Sequence, residues 1–305
     1  MVEMGADRAA RSHSCQGSLT CINKIHVLSQ LASVNLTRTI KHPIMKVVAL
    51  LSGGKDSLYN MYLCKKEGHE IVAIANLRPP EEKRASGDEL DSYMYQTVGH
   101  QALDFVAKAL DIPIFRANIM GTSKNKDLEY TNKSQTDSEV DEVEELFALL
   151  RDIRDINNIH FDAVSVGAIA SSYQNSRVEH VCRRLNLAVL AKLWNREQDQ
   201  LLQDMIDNGF EAILIKVACM GLSKEHLGKS IREMQPYLRK LHKEYETNIC
   251  GEGGEYETLV LDCPMYKKRL SLEQHEVICH SDDVFAPVYY IKPTKISLID
   301  KNCQS

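Results

Sequence analysis

The chain has 305 residues, of which 44% are hydrophobic and 26% charged, with a formal net charge of −5. A chain of that length buries a sizeable core without disulfide or metal staples, as one large domain or two ordinary ones. The acidic balance, with no strongly basic block, excludes a broad nucleic-acid footprint, and no apolar run of the ~18 residues needed to span a membrane is present.

The nine cysteines are scattered, and none lie at Cys-x-x-Cys spacing, so zinc-ribbon and thioredoxin-like readings fail. No secretory h-region opens the sequence, and the thiols are expected to be reduced, small core residues of a cytosolic protein. Residues 1–44 are Ser/Thr-rich and carry Arg8, Arg11, Lys24, Arg38 and Lys41 against only Glu3 and Asp7. That composition reads as a weakly ordered extension; a mitochondrial transit peptide has the same features. His42-Pro43 would break a helix running onward, and the folded part is expected to start at Met45.

The apolar run Val47-Val48-Ala49-Leu50-Leu51 ends at Ser52-Gly53-Gly54-Lys55-Asp56-Ser57, and a helical pattern follows over 56–67 with Leu58, Met61 and Tyr62 in phase. A buried parallel strand feeding a glycine turn and a helix N-terminus is a ready anion site. Two glycines let the backbone come close, Ser52 and Ser57 add hydroxyls, Lys55 adds a point charge, and the first helical N–H groups are unpaired. An ordinary βα turn has a similar composition; the complete strand–loop–helix context is what points to phosphate.

Gly68 stands where helices favour glycine just past their end. Strand 70–76 stops at Arg78-Pro79-Pro80, a charged loop runs to Asp88, and a helix is predicted over 89–110, followed by strand 113–119. Residues 121–138 are polar and without period, the length of a functional or mobile loop. Helix 139–157, strand 163–166 ending at Gly167-Ala168, helix 173–185 and strand 187–191 complete a βαβαβαβαβ alternation. Such alternation predicts a doubly wound, mostly parallel, Rossmann-like α/β sheet. Ligands of such sheets sit outside the strand C-termini, so Ser52–Ser57, Asn76–Arg78 and Gly167–Tyr173 are expected to converge.

The texture changes after Trp194. Helix 197–208, strand 210–217 and helix 230–246 precede the glycine-rich Cys250–Thr258 and alternating segments at 257–262, 267–273, 275–280 and 287–298. We read a second, smaller α/β domain over 194–305, whose glycine-rich loop borders the site of a nucleotide-binding domain at 45–193.

Three further stretches carry candidate chemistry. Glu252, Glu255 and Glu257 lie among Gly251, Gly253 and Gly254; clustered carboxylates there suit Mg²⁺, an ammonium ion or an amine, although a charged hairpin turn has the same look. Asp88-Glu89-Leu90-Asp91-Ser92-Tyr93 reads as an N-cap with dipole-favoured acids, most of which a structural cap and a core face explain without a function. Arg177, after Tyr173, can meet a phosphate or a carboxylate, or simply face solvent.

Ser52–Ser57 lacks the spacing of a Walker A loop and resembles the PP-loop, Ser-Gly-Gly-x-Asp-Ser, of the ATP pyrophosphatases. Together with Ala75–Pro79, Asp88–His100, Asp141–Glu144, Val164–Glu179, Leu193-Trp194 and Gly251–Thr258, it resembles one branch of that group, the diphthine–ammonia ligases, from Met45 to about Val288. The resemblance implies cleavage of ATP to AMP and pyrophosphate, and amidation of diphthine on elongation factor 2 with free ammonium through an acyl-adenylate, in the cytoplasm, with no direct nucleic-acid partner.

By the same resemblance, Ser52, Gly53, Gly54, Lys55, Asp56 and Ser57 hold the phosphates, with Asp56 at Mg²⁺. Asn76, Leu77, Gly167 and Ala168 line the adenosine pocket. Lys55, Asp56, Glu252 and Glu255 are the candidate catalytic groups, and Glu89, Tyr93, Tyr173, Arg177, Gly253 and Gly254 the candidate substrate contacts. A tRNA-modifying PP-loop enzyme and a catalytically silent nucleotide-binding protein are the rival readings; the missing Cys-x-x-Cys weighs against thiolation, and the intact loop against silence.

Overall fold

The computed structural model describes residues 43–78, 100–118 and 142–301; from Ile44 onward these belong to one compact unit. Glu89, Tyr93, the polar loop 121–138 and the N-terminal extension fall outside the described residues. So does the first half, 89–99, of the predicted helix 89–110.

Five parallel strands form the first sheet: β1 (Lys46–Leu50), β2 (Glu70–Arg78), β3 (Ile114–Asn118), β4 (Ala163–Ser165) and β5 (Ala188–Leu190), in the order β3-β2-β1-β4-β5. The order reverses direction at β1, so the crevice between the C-terminal ends of β1 and β4 is the topological switch point. Helix α1 (Lys55–Lys66) follows β1, α2 (Leu103–Leu110) precedes β3, α3 (Glu142–Asp155) precedes β4, and α4 (Ser172–Leu185) joins β4 to β5.

Successive strand residues serve opposite faces of the sheet. Val48 packs with Leu77, Leu146, Leu150 and Val181 beneath α3 and α4. Its neighbour Ala49 packs with Leu58, Met61, Leu103 and Val106 of α1 and α2. A doubly wound parallel sheet therefore stands as the alternation predicted.

The second sheet is antiparallel throughout: β6 (Glu211–Val217), β7 (Tyr256–Asp262), β8 (Lys268–Ser281) and β9 (Val288–Asp300), in the order β7-β6-β9-β8. Two helices, α5 (Gln198–Asp207) and α6 (Ile231–Tyr245), pack on it. The predicted segments 267–273 and 275–280 are one strand. Register shifts between Leu272 and His275 interrupt its alternation, and an interrupted period reads in sequence as two strands.

The two sheets share one core. Leu58, Leu103 and Val106 from the parallel side touch the same cluster as Met205, Phe210, Leu214, Tyr256 and Val260. The covering of one face of the parallel sheet is therefore completed by the second sheet, and this sets β7 against the start of α1.

Candidate active site

The loop after β1 is built as its composition requires. Leu51 N donates to Ala75 O (3.1 Å), which ends the β1–β2 ladder, while β2 continues against β3 to Arg78. Gly53 then takes φ +92°, a conformation that glycine adopts without strain. The hydroxyls of Ser52 and Ser57 lie 3.2 Å apart; Ser57 Oγ accepts from Ser52 N (3.3 Å), and Ser52 Oγ accepts from Gly54 N (3.2 Å). Hydroxyl rotors can re-aim, so these bonds shape the loop without locking its donors away from an anion.

Gly54 is the N-cap of α1 and has no side chain with which to cap it. The acceptor comes instead from the other sheet: Thr258 Oγ1 on β7 accepts from Lys55 N (3.0 Å). Val260 N also donates to Gly53 O (3.1 Å). The free edge of β7 is thus closed by the loop itself. Nothing in the sequence near 52–57 signals this partner; only the shared core brings position 258 there.

The Lys55 side chain turns inward. Its side chain is 2% exposed, and the ammonium donates to Asp56 Oδ2 (2.9 Å) and Cys250 O (2.5 Å) and sits 5.0 Å from the centre of the Tyr256 ring. It latches α1 to the glycine-rich loop rather than standing out toward a phosphate. Tyr256 donates from its hydroxyl to Ile249 O (2.6 Å), which holds the ring there.

Asp56 is the group with the chemistry of a metal ligand. One oxygen is held by Lys55; the other, Oδ1, is buried with no hydrogen-bond partner, although the side chain as a whole is 29% exposed. Burial raises its pKa above the ordinary 3.8, and the Lys55 ammonium opposes that rise. An orphaned carboxylate oxygen at a helix start is accounted for by a cation. No cluster of three or more metal-ligating side chains exists among the described residues. The donor set therefore fits an ion that takes one carboxylate from the protein and its other oxygens from phosphates and water, as Mg²⁺ does.

Gly167 follows β4 and faces the start of α1. A Cβ there would lie 2.6 Å from Ser57 N and 2.7 Å from Ser57 Cα. Glycine is what allows the two backbones to approach across the switch point. Asn76, at the C-terminal end of β2, is buried and donates to Leu51 O (2.9 Å), which leaves its Oδ1 buried and unpartnered. The side chains of Leu77 and Ala168 are core residues, 2% and 3% exposed, so these two positions offer a ligand only their backbone.

The glycine-rich loop is tied across the crevice. Glu252 accepts from Ile169 N (2.8 Å) and Ala170 N (2.9 Å), so its carboxylate fastens this loop to the one after β4. Glu255 accepts from Asn248 N (2.6 Å), and burial raises its pKa. The geometry thus employs both carboxylates in holding the loop. Gly251, at φ +72°, lets the chain pass Tyr256, whose ring a Cβ would meet at 2.6 Å. Gly253 and Gly254 are exposed at the tip.

Arg177 is 1% exposed, its guanidinium stacked 3.3 Å from the centre of the Tyr173 ring and donating to Tyr173 O (3.2 Å). The solvent-facing alternative is therefore excluded. Sequence reasoning missed Thr258 in its capping role and Asn60, a fully buried amide that donates to Ser165 Oγ (2.7 Å) and Leu190 O (2.8 Å) and accepts from Lys192 N (2.6 Å). A lone polar residue on the apolar face of α1 was the available signal for Asn60.

Family models match two stretches of the chain: the diphthamide synthase N-terminal domain over residues 45–189 and the diphthamide synthase C-terminal domain over residues 197–293. Among similar proteins, the diphthine–ammonia ligase of Danio rerio is 54% identical over 258 residues, 84% of this chain and 98% of its own. That of Homo sapiens is 51% identical over 258 residues, 84% of this chain and 94% of its own. That of Schizosaccharomyces pombe is 49% identical over 81% of this chain but only 39% of its own length. Among solved structures, the U34-tRNA thiolase NcsA from Methanococcus maripaludis aligns over 76% of this chain and 77% of its own at 16% identity, with a TM-score of 0.28, too low to carry an argument.

Proposed function

The chain belongs to the diphthamide synthase family, and we propose from that premise that it amidates the carboxylate of diphthine with ammonia at the expense of ATP, the last step of diphthamide synthesis. The observation that carries the reading is the meeting, at one switch point, of the Ser52–Ser57 loop, Gly167 and the glycine-rich loop of the second sheet.

A carboxylate resists amine attack because oxide is its leaving group. In the reaction proposed, a diphthine oxygen attacks the α-phosphorus of ATP, the bond to the β-phosphate breaks, and pyrophosphate leaves. Ammonia then attacks the acyl carbon, AMP departs with the shared oxygen, and the nitrogen loses a proton. The loop's part is to receive charge gathering on pyrophosphate, using the N–H groups and dipole at the start of α1 and the Ser52 and Ser57 hydroxyls. Asp56 would hold Mg²⁺, which neutralises phosphate charge when bound. Asn76 Oδ1 and the backbone at Leu77, Gly167 and Ala168 are our candidates for the adenosine side. Tyr173, Arg177, Gly253 and Gly254 are those for the substrate side, with Glu89 and Tyr93 proposed from sequence alone.

The protein partner we propose is elongation factor 2 bearing diphthine, and the compartment the cytoplasm. No helix among the described residues is long and apolar enough to cross a membrane. No observation favours a tRNA-modifying or a silent reading.

The test is direct. Incubated with ATP, ammonium and diphthine-bearing elongation factor 2, the protein is expected to release AMP and convert the carboxylate to the amide, read by mass. Formation of ADP, or of AMP only when tRNA is added, would overturn the proposal.

A further inference from the structure

One row of paired residues crosses the whole antiparallel sheet. Tyr256 of β7 pairs with Val217 of β6, Val217 with Tyr289 of β9, and Tyr289 with Cys279 of β8. The glycine-rich loop enters the sheet at Tyr256, and the β8–β9 hairpin continues past Cys279 and Tyr289 to its turn. Both therefore emerge from the same end of the sheet, two strand spacings or ~10 Å apart. At that end the Tyr256 ring meets Lys55 and β7 caps α1, so the hairpin turn stands on the rim of the candidate site.

The turn is ordered, yet it displays apolar side chains. Asp283 Oδ1 accepts from Phe285 N (2.8 Å) and Ala286 N (2.9 Å), and Tyr289 donates from its hydroxyl to Asp282 Oδ1 (3.1 Å). Within this frame Val284 is 89% exposed and Phe285 71% exposed. A valine and an aromatic ring held in water by a preorganised turn are unfavourable for the free chain and favourable for a binder, because little freedom is left to lose on association. Between the turn and the glycine-rich loop, Met220 leaves the end of β6, 42% exposed.

We propose that the β8–β9 turn, through Val284 and Phe285, is the docking element for the folded protein that carries the diphthine side chain. This rests on the reading given under Proposed function. A substrate side chain borne on a folded protein brings a surface with it, and whatever surface enters at the glycine-rich loop must lie against the neighbouring rim. The turn is tied to the loop along this end of the sheet: Tyr289 packs on the apolar cluster that holds Val217 and Tyr256, and its hydroxyl reaches Asp282 of the turn.

The test uses the full chain with Phe285→Ser and the double variant V284S/F285S, exchanges at exposed positions that leave the core intact. Steady-state turnover is measured against elongation factor 2 bearing diphthine, with ATP and ammonium saturating, and then against ATP. Loss of a central aromatic anchor typically weakens association ~10-fold or more. The expected result is a KM for the protein raised by that factor, with kcat and the KM for ATP unchanged. A KM for the protein equal to wild type, beside normal wild-type turnover, overturns the docking proposal alone. So does a chain that elutes as a dimer dissociated by the substitutions, since the occupant would then be a second copy. Failure of the wild type to form AMP and amide overturns the catalytic reading, and the docking proposal with it.

Discussion

Gly167→Ala is the sharpest test of the site's architecture. The added Cβ would sit 2.6 Å from Ser57 N, 2.7 Å from Ser57 Cα and 2.8 Å from Asp56 C. All three are backbone atoms of the first turn of α1, so no side chain can swing aside. Reaching the 3.4 Å edge of ordinary contact requires the β4 loop and the helix start to part by about 0.8 Å. Overpacking of this kind costs about 1–3 kcal/mol of stability, and misplacing catalytic groups by ~1 Å lowers turnover by ~10²-fold. The assay is kcat for AMP formation beside the urea midpoint, with Gly68→Ala as control. Gly68 takes φ +97° at the far end of α1, with nothing within 4 Å of a Cβ, so its substitution also destabilises but leaves the loop alone. Both variants should lose stability, and only Gly167→Ala should lose turnover. Near-normal turnover by Gly167→Ala would refute the argument that this approach positions the loop.

Thr258→Val keeps the shape of the β7 side chain and removes the acceptor of Lys55 N. Loss of a cap costs about 1 kcal/mol, and with α1 frayed at its phosphate end the KM for ATP should rise; an unchanged melting temperature and KM would remove Thr258 from the loop's support. For Asp56, burial places the folded pKa above 3.8, so the stability tied to the protonated form is complete below that value and is lost as pH rises through the folded pKa. Wild type should therefore lose stability relative to Asp56→Asn over that rise, as followed by denaturant midpoints at several pH values. A constant difference contradicts the assignment. Glu252→Ala leaves the amides of Ile169 and Ala170 without their acceptor, a loss of about 1–3 kcal/mol, whereas Glu252→Gln retains an acceptor oxygen and should recover much of it. Lost turnover in Glu252→Ala at wild-type stability would move the carboxylate from the loop's scaffold to the reaction.

The parallel sheet was legible because its signals are local. Val47–Leu51 is apolar without interruption, Ser52–Ser57 follows at once, and Gly68 closes the helix, so strand, loop and helix are each written within a dozen neighbouring residues. The family was legible in the same way, from stretches that each hold together along the chain. Less was legible in the second sheet. Its β8 strand is one element with shifts at Leu272–His275, and an alternation that slips by one residue reads as two short strands. The contacts of Lys55, Glu252 and Glu255 were not legible for a different reason. A charged residue beside a loop looks free in sequence, and whether it meets a ligand or a backbone amide depends on what the fold sets opposite it.

By itself the sequence determined the alternation and the spacing of the phosphate loop, which follow from periodicity and from residue types within a few positions of one another; the candidate reaction came with the family that those stretches resemble. Only the tertiary structure decided that Thr258 caps α1 from more than two hundred residues away, that Lys55 turns inward to Cys250, and that Gly167 lets two backbones touch. The physical reason is that burying one face of the parallel sheet requires the second sheet, and the core they share selects which distant groups become neighbours. The loop's anion-binding geometry is local, whereas its support is made across that core.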